Sequence, residues 1–181
     1  NYNKVYEIIF KILSDNKDID GLYNLAKNYG YTPAYQKISE FLANDKDING
    51  LYELAKYYNN AYNDILNILV SDKDIDGLYK LHESYKLQKI FDKIFEILSE
   101  SKDIDGLYKL YESFNSKEIY KRIFEIVSES KDIDGLYKLA ENENIEEKEK
   151  DRYGYNSNKE TIYKSKIYEK IFEILSENED I

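Results

Sequence analysis

A short motif returns five times along this chain at nearly constant spacing. The segment DIDGLYNL at Asp18 recurs as DINGLYEL at Asp47 and as DIDGLYKL at Asp74, Asp103 and Asp132. The glycines of the five copies are Gly21, Gly50, Gly77, Gly106 and Gly135, which gives spacings of 29, 27, 29 and 29 residues. A period of this length is typical of stacked repeats, because each unit can bury its apolar face only against its neighbours.

A second segment alternates with the first and has the apolar spacing of an amphipathic helix. It reads VYEIIFKILSD from Val5, KIFEILSES from Lys93, RIFEIVSES from Arg122 and KIFEILSEN from Lys170, with diverged copies at 35–44 and 62–72. In one copy, Ile119, Ile123 and Ile126 follow each other at helical offsets of 4 and 7. We refer to this segment as helix A and to the glycine-containing segment as helix B.

Helix B has its own start signal. In the fourth copy, Ile104, Leu107 and Tyr111 form one apolar stripe, and Asp103 directly before them suits an N-cap. Thr32 followed by Pro33 similarly predicts the start of the second A helix. Gly in the first turn of a helix costs stability, so its five occurrences predict a close approach between helices.

These patterns predict an all-α fold, an α-solenoid of about five and a half antiparallel helix pairs with a repeat of about 29 residues. We expect residues 1–181 to form a single helical-repeat domain, cut from a longer array because the chain begins inside an A helix and stops at the start of another turn. Residues 142–160 break the period and predict either a charged insertion or an extended helix and loop.

Composition narrows the possible chemistry. The chain has no Cys, which removes thiolate and cysteine–metal chemistry, and its single His82 replaces residues such as Ala26 and Ala55 at one register position. We therefore expect His82 to be a partly buried repeat residue, and we predict no cofactor and no enzymatic activity.

The formal charge of −10 disfavours nucleic acid as a ligand. No apolar run is long enough to span a membrane. The lack of Cys slightly favours the cytoplasm.

One repeat matches the pattern of a calcium-binding loop. Asp72, Asp74, Asp76, Gly77 and Glu83 occupy the first, third, fifth, sixth and twelfth positions of an EF-hand loop. The other repeats lack several of these ligands, whereas every copy keeps the Asp that suits a helix N-cap. We therefore favour helix caps over a metal site, and keep the four carboxylates as a candidate calcium set.

The chain contains twenty tyrosines, and eleven of them, together with Phe114, form three groups. Those that follow Gly-Leu are predicted to pack between repeats with their hydroxyls at the rim: Tyr23, Tyr52, Tyr79, Tyr108 and Tyr137. A second group is predicted to end helix B and close the next interface: Tyr29, Tyr58, Tyr85 and Phe114. The remaining candidates, Tyr31, Tyr57 and Tyr62, are predicted to lie on a surface that binds a partner.

In general shape the chain resembles the tetratricopeptide-like class of helix-pair solenoids, with Gly-Leu-Tyr as its recurrent trio. The resemblance implies a scaffold that binds a protein or peptide in a groove. We predict that binding uses the variable position after each Gly-Leu-Tyr, on the concave face: Asn24, Glu53, Lys80, Lys109 and Lys138. Two alternatives are an acidic decoy for a basic nucleic-acid-binding protein and a purely structural array that self-associates.

Overall fold

A computed structural model describes residues 2–141 and 160–179, which form eleven α-helices and no strand. The helices are α1 (Tyr2–Asp15), α2 (Ile19–Tyr29), α3 (Pro33–Asn44), α4 (Ile48–Ala55), α5 (Ala61–Ser71), α6 (Ile75–Tyr85), α7 (Gln88–Glu100), α8 (Ile104–Phe114), α9 (Lys117–Glu129), α10 (Ile133–Glu141) and α11 (Glu160–Glu179). Odd-numbered helices are the A segments and even-numbered helices are the B segments, so the predicted all-α class is confirmed.

The chain divides into two compact units, Asn1–Ile94 and Phe95–Ile181. Within each unit, helices that are consecutive in the chain pack against each other: α1 to α6 in the first, and α8 to α11 in the second. Their shared leucines and isoleucines form the core, with Leu22, Ile38 and Leu51 fully buried in the first unit and Leu107, Ile119 and Leu136 fully buried in the second.

The turn from each A helix to its B helix, which we call the AB turn, has one structure throughout. In the fourth copy, Lys102 adopts φ +53° and its N–H donates to the Ser99 carbonyl, while the Asp103 N–H donates to the Leu98 carbonyl at 3.0 Å. These two bonds form a Schellman motif, which closes the end of an A helix. The same left-handed residue is Lys17, Lys46, Lys73 and Lys131 in the other copies.

The residue that completes this motif also starts the next helix. The Asp103 carboxylate accepts from the Gly106 N–H at 2.9 Å, and each of the other copies repeats this bond at the same length. The predicted Asp N-caps are confirmed. Because one Asp closes one helix and caps the next, the AB turn needs only three residues.

The close approach predicted at the repeated glycine is also present. A Cβ atom on Gly106 would lie 2.5 Å from Leu98 Cδ2 and 2.6 Å from the capping carboxylate of Asp103. Leu98 is itself buried in the core. The glycine therefore lets helix B lie against the end of helix A.

The helix start predicted at Thr32 and Pro33 is confirmed, because α3 begins at Pro33 with Thr32 as its N-cap residue, although the Thr32 hydroxyl makes no capping bond. Tyr29 and Tyr85 end α2 and α6, as predicted, whereas Tyr58 follows the end of α4. Each of these three rings lies against an aromatic side chain of the A helix of its own pair, such as Tyr58 on Tyr35, with ring centroids 6.2 Å apart.

The sequence break predicted at 142–160 lies outside the described residues, except for Glu160, which begins α11. None of the eleven described helices combines the length and hydropathy that a transmembrane span requires.

Candidate functional site

The position after each Gly-Leu-Tyr is exposed in all five copies. It is occupied by Asn24, Glu53, Lys80, Lys109 and Lys138, and we call this set the B-helix row. In every copy the next residue is a buried leucine, such as Leu25 after Asn24. The helical period therefore holds one constant side chain in the core and turns its variable neighbour to solvent.

One member of the row lies in a groove of the second unit. The groove has a volume of about 430 Å³. Its walls are the N-terminal turns of α8 and α10 with the preceding AB turns, and they include Lys102, Asp103, Asp105, Tyr108, Asp132, Asp134 and Lys138.

Lys138 is held against an aromatic ring and a carboxylate in this groove. Its Nζ lies 4.5 Å from the centroid of the Tyr108 ring and 4.0 Å from Asp105 Oδ1. A cation over the face of a tyrosine is attracted by the ring quadrupole. The side chain of Lys138 is 63% exposed, so a bound ligand can reach it.

Tyr108 forms the apolar wall of the groove. The residue is 8% exposed, and its hydroxyl has no hydrogen-bond partner within the described part of the chain. Burial, reinforced by the negative charges of Asp132 and Asp105, raises the pKa of Tyr108 to about 12. The predicted position of its hydroxyl at a rim is therefore wrong.

The carboxylates of the groove occupy two kinds of position. Those of Asp103 and Asp132 accept the capping N–H groups of α8 and α10. Asp105 and Asp134 lie in the first turns of the same helices, where the helix dipole favours negative charge. The groove therefore combines an aromatic wall, the ammonium groups of Lys102 and Lys138, and an acidic edge.

The three tyrosines predicted to lie on a binding surface have different environments. Tyr57 is 56% exposed, and the Lys27 ammonium lies 5.6 Å from the centroid of its ring. Tyr62 is half-buried and stacks on Tyr85. Tyr31 is half-buried as well, near the rings of Tyr6 and Phe10. Only Tyr57 of the three presents most of its ring to solvent.

The four candidate calcium ligands are spread over a turn and a helix. Asp72 pairs with the Lys46 ammonium, and Asp74 caps α6 through the Gly77 N–H. Asp76 and Glu83 both lie within α6, about 10 Å apart along its axis at 1.5 Å per residue. Among the residues that the structure describes, no group of three or more His, Cys, Asp and Glu side chains could hold a metal ion. His82 lies half-buried in α6.

Sequence reasoning missed two features of these surfaces. The first is the groove itself, whose signal was the presence of Lys138 in the repeat that follows Tyr108. The second is a cleft of about 340 Å³ in the second unit, lined by Tyr120, Phe124 and Ile167 with Lys121 and Lys166.

Comparison of the chain with protein-family models, curated proteins and solved structures found no match.

Proposed function

We propose that this chain is a non-enzymatic scaffold that binds a protein or peptide along the B-helix row of a tetratricopeptide-like α-solenoid with a repeat of about 29 residues. The observation that carries the proposal is the contrast between neighbouring positions of helix B. The leucine that follows each row position is buried and constant, whereas the row position is exposed and changes from Asn to Glu to Lys.

The groove beside Lys138 supports a peptide as the ligand. Tyr108 supplies an apolar wall with little conformational entropy to lose, and Lys138, Asp105 and Asp134 supply charges of both signs. A peptide with an apolar side chain flanked by a carboxylate and a basic group complements these features. The charged groups would determine the register in which the peptide binds more than they would determine its affinity.

Selection from a displayed peptide library tests the proposal. Peptides are selected on the full chain and then assayed on a variant in which Lys80, Lys109 and Lys138 are replaced by Ser. The control variant replaces three exposed lysines of A helices, Lys89, Lys117 and Lys121, and so makes the same change in net charge. We expect the row variant to lose at least about tenfold in affinity, equal to about 1.4 kcal/mol, and the control to keep it. Equal losses in both variants, or no enriched peptide, would contradict the scaffold.

The excess of 36 acidic over 26 basic residues favours a second candidate, an acidic decoy for a basic nucleic-acid-binding protein. Such a partner would bind through long-range charge, so added salt or DNA would displace it. A partner that stays bound in high salt and excess DNA favours the scaffold.

A further inference from the structure

Helix α1 carries an apolar face that is open to solvent. Val5, Ile9 and Ile12 lie at helical offsets of 4 and 7, and they are 53%, 38% and 55% exposed. We call these three residues with Ile8 the α1 face. Covering four apolar side chains of this type removes their surface from water, which is favourable.

The same register positions are buried in the other A helices. In α3 they are Ala34, Ile38 and Phe41, which are 0%, 0% and 8% exposed. The corresponding buried residues elsewhere are Ala61, Ile65 and Ile68 in α5, Ile90, Ile94 and Ile97 in α7, Ile119, Ile123 and Ile126 in α9, and Ile167, Ile171 and Ile174 in α11. Exposure of this surface is therefore specific to α1.

The neighbour of this surface in the other copies is the preceding B helix. Within the first unit α2 packs on α3 and α4 packs on α5, and within the second unit α8 packs on α9 and α10 on α11. In α1 the same register positions hold residues of the same apolar type. The α1 face therefore matches an interface that the chain forms repeatedly, and a B-type helix fits it.

Ile8 makes this face more apolar than its counterparts. The same position holds Asp64 in α5, which accepts a hydrogen bond from Ser39 of the preceding A helix at 2.6 Å. In α9 it holds Arg122, which donates to the Ser99 carbonyl of the preceding A helix at 3.2 Å. Ile8 is 61% exposed and can make no such bond. Ile8 therefore extends the apolar face of α1 at the edge where the other copies make a polar contact with the preceding A helix.

We propose that the α1 face binds an amphipathic helix with the apolar pattern of this chain's own B helices. All five B helices have two leucines three residues apart, and in three of them an Ala follows the second leucine, as in Leu22, Leu25 and Ala26. The α1 face lies on an A helix and shares no residue with the B-helix row, so this inference is independent of the proposed function.

Disulfide capture tests the proposal, because the chain has no cysteine of its own. Ile8→Cys places a thiol at the edge of the face. The probe is a peptide with the sequence of residues 18–30 and an added N-terminal Cys-Gly-Gly. The control peptide has Ser in place of the two leucines. Each peptide is equilibrated with the full-length variant in glutathione buffer, and mass spectrometry gives the mixed-disulfide fraction.

A matched protein control is available at the same register position. Lys37→Cys places a thiol on α3, where the side chain is 33% exposed but the adjoining face is already covered. We expect Ile8→Cys to capture the leucine peptide at least about tenfold more than the control peptide, and Lys37→Cys to capture both equally. Adding Ile12→Asp to Ile8→Cys should remove the preference while circular dichroism shows an intact fold.

Three results would overturn the proposal. Equal capture of the two peptides by Ile8→Cys would mean that the face does not recognise the pattern. A preference that survives Ile12→Asp would place recognition elsewhere. If sedimentation shows that the wild-type chain self-associates and Ile12→Asp makes it monomeric, the face is occupied by a second copy instead.

Discussion

The two kinds of turn in this protein follow different rules. Every AB turn has three residues, a left-handed Lys and a capping Asp. The connection from each B helix to the next A helix, here called the BA connection, has no common residue at the described helix ends, which are Gly30, Lys56, Lys86 and Asn115. The A helix, the AB turn and the B helix therefore form the conserved hairpin, and the BA connection is where the repeat varies.

Spacing along the chain shows the same difference. The capping Asp lies 13 residues after the first apolar register position of the A helix, as in Val5 and Asp18 and in Ala61 and Asp74. The two-residue deletion in the second repeat falls after the cap instead, where α4 ends early at Ala55. A tight turn with both helix ends capped cannot absorb a deletion without losing a bond, whereas a loop can.

The largest loss of stability is expected for a glycine at an AB turn, and a glycine in a BA connection provides the comparison. Gly106→Ala should destabilise the protein by about 2 kcal/mol, because overpacking against Leu98 and disturbing the cap outweigh the better helix propensity of Ala. Gly30→Ala should cost about 1 kcal/mol, since Gly30 has φ +67° but open space around its Cβ position. Urea denaturation gives both values. A more stable Gly106→Ala variant would contradict the close approach.

The burial of Tyr108, reinforced by the carboxylates of Asp132 and Asp105, should also make stability sensitive to alkali. Tyr108 has its pKa raised to about 12, so between pH 10 and 12 the unfolded chain loses this proton while the folded chain keeps it. Stability is unaffected below pH 10 and falls as the pH rises through this window. The wild type should lose about 1–2 kcal/mol more than Tyr108→Phe, at about 1.4 kcal/mol per pKa unit. Identical urea midpoints for both proteins at pH 11 and 12 would contradict this.

Helix caps provide the next comparison. Asp103→Ala should cost about 1 kcal/mol, because it leaves the Gly106 N–H without its capping acceptor. Ser116→Ala, at the start of α9 after a BA connection, should cost less than about 0.5 kcal/mol, since Ser116 makes no capping bond. Thermal unfolding of the two variants measures the difference. Equal losses would mean that the two connections are capped equally well.

The smallest effect concerns ion pairs between successive turns. Lys102 donates to Glu129 Oε2 at 3.0 Å, and this bond lowers the pKa of Glu129. The contribution is therefore present at neutral pH and is lost as the pH falls below the usual glutamate range. Double-mutant cycles with Lys102→Gln and Glu129→Gln should show a small coupling that disappears in 1 M salt. A coupling that salt does not change would show that the pair acts through packing.

Much of the hairpin could be predicted from the sequence because its signals are local. The Asp caps, the apolar stripes and the repeated glycine act within one or two helical turns, and all three are confirmed. The left-handed Lys was not predicted, because Gly and Asn are the usual residues there. Its signal was present as a Lys before every capping Asp. The structure adds a reason for it: Lys17, Lys46, Lys102 and Lys131 each pair with an acidic residue of the following repeat.

The burial of the tyrosines could not be predicted without the tertiary structure. Tyr29 and Tyr58 stand at equivalent sequence positions, yet Tyr29 is 61% exposed and Tyr58 is half-buried. Tyr108 and Tyr137 both follow Gly-Leu, yet they are 8% and 43% exposed. Sequence fixes the helix face on which each ring lies. Its burial depends on the neighbouring helix, which the local pattern does not specify.

Local signals in the sequence are sufficient to predict the helices, their order and the position of the turn that joins each A helix to its B helix, because caps and apolar periodicity act within a few residues. Which apolar surfaces are covered depends on the tertiary packing. Ile9 and Ile38 occupy the same register position, but Ile9 is 38% exposed and Ile38 is fully buried. Burial is a relation between a side chain and its neighbours in space, so two equivalent residues can differ when only one of them has a helix packed against it.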